Sequence, residues 1–428
     1  MASKLLSEET SNAVKTIREI LRKFPDHGVV DIFKLYSTRD LLLSFLALSR
    51  LQRMNKFLEE QDVIQTNERD KSNSNSDYHS LLDLNLIKDL AHYAVFANAA
   101  YGWKMRLLMS GKLHIGNLKL LTDSTGIEEE NIIHTNWRSK THLPAFFIVR
   151  DVAKKNIVLC IRGTLSPKDL LTDLCCTADD YVANEIKKKN RNGKKMKSKF
   201  VGRAHHGMLL SARGVEKKAK TIIANALASC PDYNLIIIGH SLGGGVAAIL
   251  GSLWKQTFPG LTVYAYGCPC IGPLDTNPTI DSSIISVVGD GDPFSTLSLG
   301  HLADITAALS KLCENESLRD NILQKTQGDG EASSEDLKWC FDTYKNIRSH
   351  MNAEKFYPPG RILYISESIL KESKSRINLE EAKTKKFDNI ILHSAMFDLS
   401  RHVPTRYESD LNILCAEMES QITSNVSI

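Results

Sequence analysis

The sequence predicts an α/β fold in which helices cover both faces of a mostly parallel central sheet. From about residue 80 onward, short apolar runs alternate with segments that are long enough for crossover helices. The chain has 428 residues, of which 42% are hydrophobic, so it can bury a sizeable core. The candidate strands are residues 145–149, 157–161, 235–238, 263–266, 284–288 and 362–365.

Residues 1–65 are predicted to form a helical extension that precedes this α/β domain. Apolar residues recur at helical spacing within residues 14–24, and residues 41–48 supply a second apolar face. An amphipathic helix of this kind docks on a protein core or lies on a membrane, and we favour docking. Residues 66–79 are rich in serine, asparagine and charge, which indicates a polar linker, so the α/β domain is expected to span residues 80–428.

The charge of the chain is concentrated in local segments. The formal net charge is only +4, which excludes a chain that binds polyanions over its whole surface. Two insertions interrupt the α/β pattern: residues 187–199 are strongly basic, and residues 311–345 are polar and mixed in charge. An electrostatic function therefore has to come from a local cluster.

Cysteine usage and short apolar segments indicate a reduced, cytoplasmic protein. The nine cysteines are odd in number and several, such as Cys160, lie inside apolar runs, which favours buried thiols over a disulfide framework. Cys268 and Cys270 have no partner pair at metal-binding spacing, so no metal site is expected. The longest apolar stretch, residues 41–48, is far shorter than the roughly 18–20 residues that span a bilayer, and no signal peptide is recognised. We expect the chain to be at most peripheral to a membrane.

Residues 235–251 carry the motif on which the functional interpretation depends. They read LIIIGHSLGGGVAAILG, so the turn Gly239-His240-Ser241-Leu242-Gly243 lies between an apolar strand and a helix of small residues. A G-x-S-x-G turn in this setting lifts the serine hydroxyl above the sheet edge, and the helix directs its positive end towards it. An ordinary tight turn is the alternative. We interpret Ser241 as the nucleophile of an α/β hydrolase, whose chemistry needs no cofactor.

An enzyme that transfers acyl groups also needs hydrogen-bond donors for the oxyanion of its tetrahedral intermediate. The backbone N–H of Leu242, directly after the serine, is one candidate. Thr164 is the second, because it follows the predicted strand 157–161 and could supply both its N–H and its hydroxyl. The alternative for residues 161–164 is a simple glycine turn.

The acid of a catalytic triad is expected between the nucleophile and the histidine along the chain. Residues 289–293 read GDGDP and directly follow the predicted strand 284–288. Asp290 and Asp292 therefore both lie just past a strand end, where an acid that orients the base belongs. Either one could instead be an ordinary turn residue.

Four histidines follow these aspartates and are candidates for the base: His301, His350, His393 and His402. His301 leaves little chain for a further strand, and His350 lies in the polar insertion. His393 and His402 are late enough in the chain, and hydrophobic periodicity does not separate them. On these grounds the choice of the base stays open.

From about residue 85 to residue 415 the chain resembles the class 3 (fungal-type) lipases, and among them the sn-1-specific diacylglycerol lipases. Several segments carry the resemblance in the same order along the chain. They are residues 91–94 (AHYA), 100–103 (AYGW), 144–147 (PAFF), 161–166 (IRGTLS), 204–209 (AHHGML), 239–244 (GHSLGG) and 357–361 (YPPGR). The resemblance implies the α/β-hydrolase fold and a serine esterase without a metal or an organic cofactor.

The resemblance also implies the members of the triad. Residues 292–298 (DPFSTLS) match the family's D-x-x-P-R-L-S pattern in frame, with serine and threonine where proline and arginine are usual, which implies Asp292 as the acid. Residues 396–404 (MFDLSRHVP) resemble the family's pattern around its base, which implies His402. His205 matches an H-x-G position of the family upstream of the nucleophile, and we interpret it as structural.

The sequence therefore predicts a serine lipase that hydrolyses acyl esters of glycerolipids, with diacylglycerol as the substrate that the resemblance implies. A phospholipase A1 or a triacylglycerol lipase is the alternative among enzymes, because the same triad serves all three. A catalytically silent, lipase-like scaffold is the alternative outside the enzymes.

The basic insertion is predicted to meet an anionic membrane. It holds eight Lys or Arg residues within thirteen positions, and it falls where the class 3 lipases commonly place a lid. Cationic side chains favour binding to an anionic leaflet. A solvated loop without a partner is the alternative, and nucleic-acid binding suits a lipase poorly. The residues are Lys187, Lys188, Lys189, Arg191, Lys194, Lys195, Lys197 and Lys199.

Overall fold

The structure is a computed structural model that describes residues 6–23, 29–71, 83–102, 107, 116–165, 178–189, 195–273, 282–327, 333–369, 375–392 and 399–426. The helices, in chain order, are α1 (Glu8–Lys23), α2 (Ile32–Leu35), α3 (Thr38–Lys71), α4 (Leu84–Ala99), α5 (Asn117–Thr125), α6 (His206–Ser229), α7 (Leu242–Trp254), α8 (Leu299–Glu314), α9 (Glu316–Lys325), α10 (Ser334–Arg348) and α11 (Pro404–Val426). The strands are β1 (Ile132–Asn136), β2 (Phe146–Asp151), β3 (Asn156–Ile161), β4 (Ala178–Lys189), β5 (Lys195–His205), β6 (Asn234–His240), β7 (Thr262–Tyr266), β8 (Ile284–Gly289), β9 (Arg361–Ile369) and β10 (Ser375–Glu381).

The chain forms two compact units, each assembled from segments that are distant in sequence. The helical unit contains Met1–Leu81, Ser298–Glu354 and Asp388–Asp398, and with them α1 to α3 and α8 to α10. The α/β unit contains Leu82–Leu297, Lys355–Phe387 and Leu399–Ile428, and with them the described strands.

The α/β unit is built on an eight-stranded sheet with the order β1-β2-β3-β6-β7-β8-β9-β10. The strands β3, β6, β7, β8 and β9 run parallel, and the antiparallel pairs lie towards the two edges. In β3 every residue from 157 to 161 is buried, as strands that are covered on both faces require. The prediction of an α/β fold with a mostly parallel sheet is confirmed.

Helices pack against both faces of this sheet. On one face Tyr93 of α4 stacks on Tyr264 of β7 with ring centroids 5.5 Å apart, and Tyr407 of α11 belongs to the same apolar cluster. On the other face α7 lies so close that a Cβ atom at Gly251 would be 2.5 Å from Cγ2 of Val263. Because successive residues of a strand point to opposite faces, Val263 and Tyr264 mark the two sides.

The six predicted strands correspond to β2, β3, β6, β7, β8 and β9, with ends that differ by at most four residues. The strands β1, β4, β5 and β10 were not predicted. β1 is half-buried along its whole length, and β10 has the polar sequence SRINLEE. A strand at the sheet edge keeps part of its surface in water, so it lacks the continuous apolar run that marks a central strand.

The basic insertion lies in a second sheet, a two-stranded antiparallel hairpin of β4 and β5. The backbone register pairs Lys187 with Lys197 and Lys189 with Lys195. Arg191 and Lys194 lie outside the described residues. The insertion is therefore a β-hairpin that contributes no strand to the main sheet.

The helical unit buries the apolar faces that the N-terminal sequence predicts. Ile17 and Leu21 of α1, and Phe45 and Leu48 of α3, are at most 1% exposed. The helix α3 continues to Lys71, so the first residues of the predicted linker are helical, because extending a formed helix costs far less than starting one. Although α3 spans 34 residues, neither it nor another described helix is long and apolar enough to cross a membrane.

The polar insertion at residues 311–345 is largely helical within its described part. It contains the end of α8, all of α9 and most of α10. The side chains of Asn315 and Ser333 accept hydrogen bonds from the first turns of α9 and α10, which fixes where these helices begin. Ile322 and Cys340 are fully buried, so the mixed composition is that of amphipathic helices.

Candidate active site

The backbone holds Ser241 in a conformation that serine rarely adopts. The residue lies between β6 and α7 with φ 60° and ψ −132°, and its N–H donates to the Tyr266 carbonyl at 2.9 Å. A positive φ in a non-glycine residue costs on the order of 1–3 kcal/mol, so the surrounding structure must impose it. Cβ atoms at Gly239 and Gly243 would collide with the Gly243 and Ile161 carbonyl oxygens, respectively, so this turn requires both glycines.

Two hydrogen bonds join Ser241, His402 and Asp292. The distance from His402 Nε2 to Ser241 Oγ is 2.8 Å, and the distance from His402 Nδ1 to Asp292 Oδ2 is 2.7 Å. All three residues are buried. A carboxylate only accepts, so the proton of a neutral imidazole lies on Nδ1 and Nε2 is free to accept from the serine hydroxyl.

Asp292 is held by donors besides the imidazole. It follows β8 at the start of a short 3₁₀ turn, where the Phe294 N–H donates to Oδ1 at 3.0 Å. The Tyr407 hydroxyl donates to Oδ2 at 2.5 Å and accepts from the Gly289 N–H at 3.0 Å. The carboxylate orientation is therefore fixed from the strand end and from α11. This arrangement can support general-base activation of a serine hydroxyl.

The histidine ring of this group is enclosed on two sides. The Phe294 ring lies 4.1 Å from the His402 ring, measured between centroids. On the other side a Cβ atom at Gly267 would be 3.0 Å from Cε1 of His402 and 3.0 Å from Nε2 of His240. Glycine at position 267, with φ 51°, thus leaves room for both imidazoles.

The other acid and base candidates have different partners. Asp290 accepts from the Tyr364 hydroxyl and, through its carbonyl, from Arg401. His301 hydrogen-bonds to the Ser298 cap of α8 at 2.8 Å. The remaining candidates are His350, which is exposed and contacts Lys311 and Asn346, and His393, which lies outside the described residues.

The segment after β3 packs directly against the serine turn. A Cβ atom at Gly163 would be 2.5 Å from the His240 carbonyl oxygen and 3.0 Å from the Cβ of Ser241. Thr164 follows and is half-buried. Leu242 is the first residue of α7, and the first N–H groups of a helix have no acceptor within it. The residue before Thr164 therefore packs against the turn that precedes the Leu242 N–H.

Residues 158–301 match the class 3 lipase family, described as "Lipase (class 3)". About a third of the chain therefore matches this family, in the region that carries the serine turn. The matched region includes Thr164, Ser241 and Asp292, whereas His402 lies beyond it.

Known lipases are similar to this chain at 24–30% identity. Rat diacylglycerol lipase-alpha is 26% identical over 389 residues, covering 76% of this chain and 36% of the relative. Mouse diacylglycerol lipase-beta is 24% identical over 257 residues, covering 54% and 36%. A lipase of Rhizopus niveus is 30% identical over 138 residues, covering 31% and 30%. The chain thus spans about a third of the length of the diacylglycerol lipases that it matches.

Two tyrosines contact this site that the sequence did not assign to it. Tyr407 follows His402 by five residues, and its hydroxyl reaches Asp292 from α11. The Tyr101 hydroxyl hydrogen-bonds to His240 Nδ1 at 2.7 Å. Tyr101 lies in residues 100–103, which carried the family resemblance, so that resemblance could have indicated its place at the site. Tyr407 lay outside the segments used, and a hydroxyl that supports a carboxylate leaves no periodic pattern.

Buried histidine and cysteine side chains near the site are held in their neutral forms. Burial lowers the pKa of His240 well below its usual value, and the nearby His402 lowers it further. Burial raises the pKa of Cys268 to about 12 and that of Cys270 well above its usual value, so both thiols stay protonated. Among the described residues no cluster of three or more His, Cys, Asp or Glu could hold a metal ion.

The buried His240 makes the stability of the fold depend on pH. An unfolded chain protonates this histidine near pH 6.5, whereas the folded protein keeps it neutral. Below pH 6.5 the unfolded state therefore binds more protons, and folding stability falls with pH. Relative to His240→Gln, the wild-type protein should lose about 1.4 kcal/mol of unfolding free energy per pH unit below that value. Urea denaturation of both proteins between pH 5 and pH 8 measures this, and parallel curves would contradict it.

Proposed function

We propose that the protein is a serine lipase that hydrolyses acyl ester bonds of glycerolipids, with diacylglycerol as its substrate. The chain of hydrogen bonds from Ser241 through His402 to Asp292, at 2.8 and 2.7 Å, is the observation that carries this proposal. The strained serine turn at the carboxyl end of a central parallel strand supports it, because acyl transfer requires a nucleophile that is held above the sheet edge.

In the acylation step, His402 Nε2 accepts the proton of the Ser241 hydroxyl while Oγ attacks the ester carbonyl carbon. The carbonyl oxygen becomes an oxyanion, which the N–H of Leu242 and the N–H and hydroxyl of Thr164 stabilise. The ionised Asp292 stabilises the imidazolium. When the intermediate collapses, His402 returns the proton to the departing alcohol oxygen and the acyl group stays on Ser241.

In the deacylation step, a water molecule replaces the alcohol. His402 Nε2 accepts a proton from the water while its oxygen attacks the acyl carbonyl, and the same donors stabilise the second oxyanion. Collapse releases the fatty acid and returns the proton to Ser241. No metal or organic cofactor takes part in either step.

The likeness to diacylglycerol lipase-alpha and diacylglycerol lipase-beta supports diacylglycerol as the substrate. At 26% and 24% identity that likeness is distant, and the same triad also serves phospholipase A1 and triacylglycerol lipase chemistry. A panel of substrates with different leaving alcohols therefore tests whether diacylglycerol is the substrate.

The first prediction concerns the triad. Ser241→Ala and His402→Ala should each lower kcat for ester hydrolysis by about 10⁴- to 10⁶-fold, and Asp292→Asn by about 10⁴-fold, because each removes a part of one proton-transfer unit. A fluorophosphonate probe should label the wild-type protein at Ser241 and leave Ser241→Ala unlabelled. Peptide mapping after labelling locates the adduct.

Asp290→Asn is the matched control for the acid, since it removes a carboxylate two residues away that accepts from Tyr364. This variant should keep wild-type activity. Loss of activity in Asp290→Asn with an active Asp292→Asn would reverse the assignment, and a folded wild-type protein that neither reacts with the probe nor hydrolyses esters would favour the silent scaffold.

The substrate prediction is tested on mixed micelles that contain diacylglycerol, triacylglycerol or phosphatidylcholine. The wild-type protein should release fatty acid fastest from diacylglycerol, and Ser241→Ala should release none above background. Faster release from phosphatidylcholine would assign a phospholipase, and faster release from triacylglycerol would assign a triacylglycerol lipase. Both outcomes would keep the triad and reject the substrate.

We also propose that the β4–β5 hairpin binds an anionic membrane surface. In an antiparallel pair, opposed residues and alternate residues of one strand share a face. The register therefore places positions 187, 189, 195 and 197, all lysines, on one face of the hairpin. A face with this charge density favours an anionic leaflet by about 1 kcal/mol per lysine.

Replacing these four lysines with glutamine should weaken binding to phosphatidylserine vesicles by roughly 10³-fold at low salt, because about 4 kcal/mol of attraction is lost. Flotation on phosphatidylserine and phosphatidylcholine vesicles measures this. The matched control replaces the exposed Lys217, Lys218, Lys383 and Lys385 with glutamine, which removes the same charge elsewhere. If both variants bind alike, the hairpin is a solvated loop or the membrane contact lies elsewhere.

A further inference from the structure

The two proposed oxyanion donors come from separate segments of the chain. Leu242 begins α7 after the serine turn, and Thr164 follows β3. Both donors must lie about 3 Å from one oxygen atom in the transition state, so the distance between the two segments controls the stabilisation. A contact that fixes this distance would therefore influence the rate without touching the substrate.

The Tyr101 hydroxyl lies between these two segments. It hydrogen-bonds to Nδ1 of His240, the residue before the nucleophile, at 2.7 Å, and it lies against Gly163, the residue before Thr164. A Cβ atom at Gly163 would be 2.5 Å from the Tyr101 hydroxyl oxygen and 2.5 Å from the His240 carbonyl oxygen. The three groups are thus packed without space for another atom.

A phenol can donate its one proton or accept at its oxygen, so the Tyr101 hydroxyl can hydrogen-bond to His240 Nδ1 in either neutral tautomer of the imidazole. Burial raises the pKa of Tyr101 far above its usual value, and burial keeps His240 neutral, so neither partner changes its protonation near neutral pH. The hydrogen bond between Tyr101 and His240 therefore persists near neutral pH.

We propose that Tyr101 is a positioning residue whose hydroxyl sets the distance between the Thr164 and Leu242 donors of the oxyanion hole. The inference rests on the proposed hydrolase function and adds a residue that acts through Gly163 and His240. The Tyr101 ring lies edge-on to the His240 ring with centroids 5.6 Å apart, so removal of the hydroxyl alone leaves the apolar packing in place.

The test compares Tyr101→Phe with the wild-type protein on a soluble short-chain ester. We expect kcat to fall roughly 10- to 100-fold with KM unchanged, because a misplaced donor weakens only transition-state binding. The inhibition constant of an alkyl boronic acid, whose tetrahedral serine adduct occupies the oxyanion site, should rise by a similar factor. In a Thr164→Val background, Tyr101→Phe should have a smaller effect, since part of the donor is already lost.

Tyr93→Phe is the matched control. Tyr93 is also a buried tyrosine, and its hydroxyl accepts from the Asn156 side chain at 2.7 Å at the opposite end of β3. Tyr93→Phe should lower the urea midpoint of unfolding, as Tyr101→Phe does, because each removes a buried hydrogen bond, and it should leave kcat and the boronate inhibition constant unchanged. Equal kinetic losses in both variants, or a wild-type kcat in a folded Tyr101→Phe, would overturn the inference. A wild-type protein without esterase activity would instead reject the proposed function, and this inference with it.

Discussion

The close approach of two backbone segments, the turn at Ser241 and the stretch after β3, is the constraint on which the site depends. Glycines at 163 and 243 allow this approach, since a Cβ atom at each would meet a backbone carbonyl oxygen of the other segment. The strained φ of Ser241 persists because β6, α7 and the Tyr266 carbonyl hold the chain on either side. This backbone conformation sets the direction of the serine hydroxyl. His402 can act as a base only if its imidazole lies within hydrogen-bonding distance of that hydroxyl.

Around this contact the protein buries a polar network inside apolar packing. Asp292 accepts from a backbone amide, an imidazole and the Tyr407 phenol, and His240 Nδ1 shares a hydrogen bond with the Tyr101 phenol. In a medium of low dielectric constant such hydrogen bonds are strong and breaking one is costly, so they favour one arrangement of these side chains. The two phenols have different roles: Tyr407 hydrogen-bonds to the acid, whereas Tyr101 contacts the two segments that carry the proposed donors.

Features that depend on neighbouring residues could be predicted from the sequence, and features that depend on distant ones could not. The central strands and the Ser241 turn have local signals, because apolar runs and glycine spacing are properties of a few consecutive residues. The spacing alone left Asp290 and Asp292, and His393 and His402, as alternatives, and the resemblance to the lipases was needed to choose. The helical unit joins residues 298–354 to the N-terminal helices, which is a tertiary contact without a local pattern. Tyr407 was missed for the same reason, whereas Tyr101 lies in a segment that carried the family resemblance.

Gly267 shows how little space separates the imidazoles from the strand end. Its Cα hydrogen faces both rings, and its φ of 51° is one that a side chain would resist. A single methyl group at this position would displace a ring rather than remove a reacting atom. The residue therefore acts as a spacer: the protein could keep its serine, histidine and aspartate and still lose their alignment. A relative that carries a larger residue at this position could therefore have all three triad residues in its sequence and still be inactive.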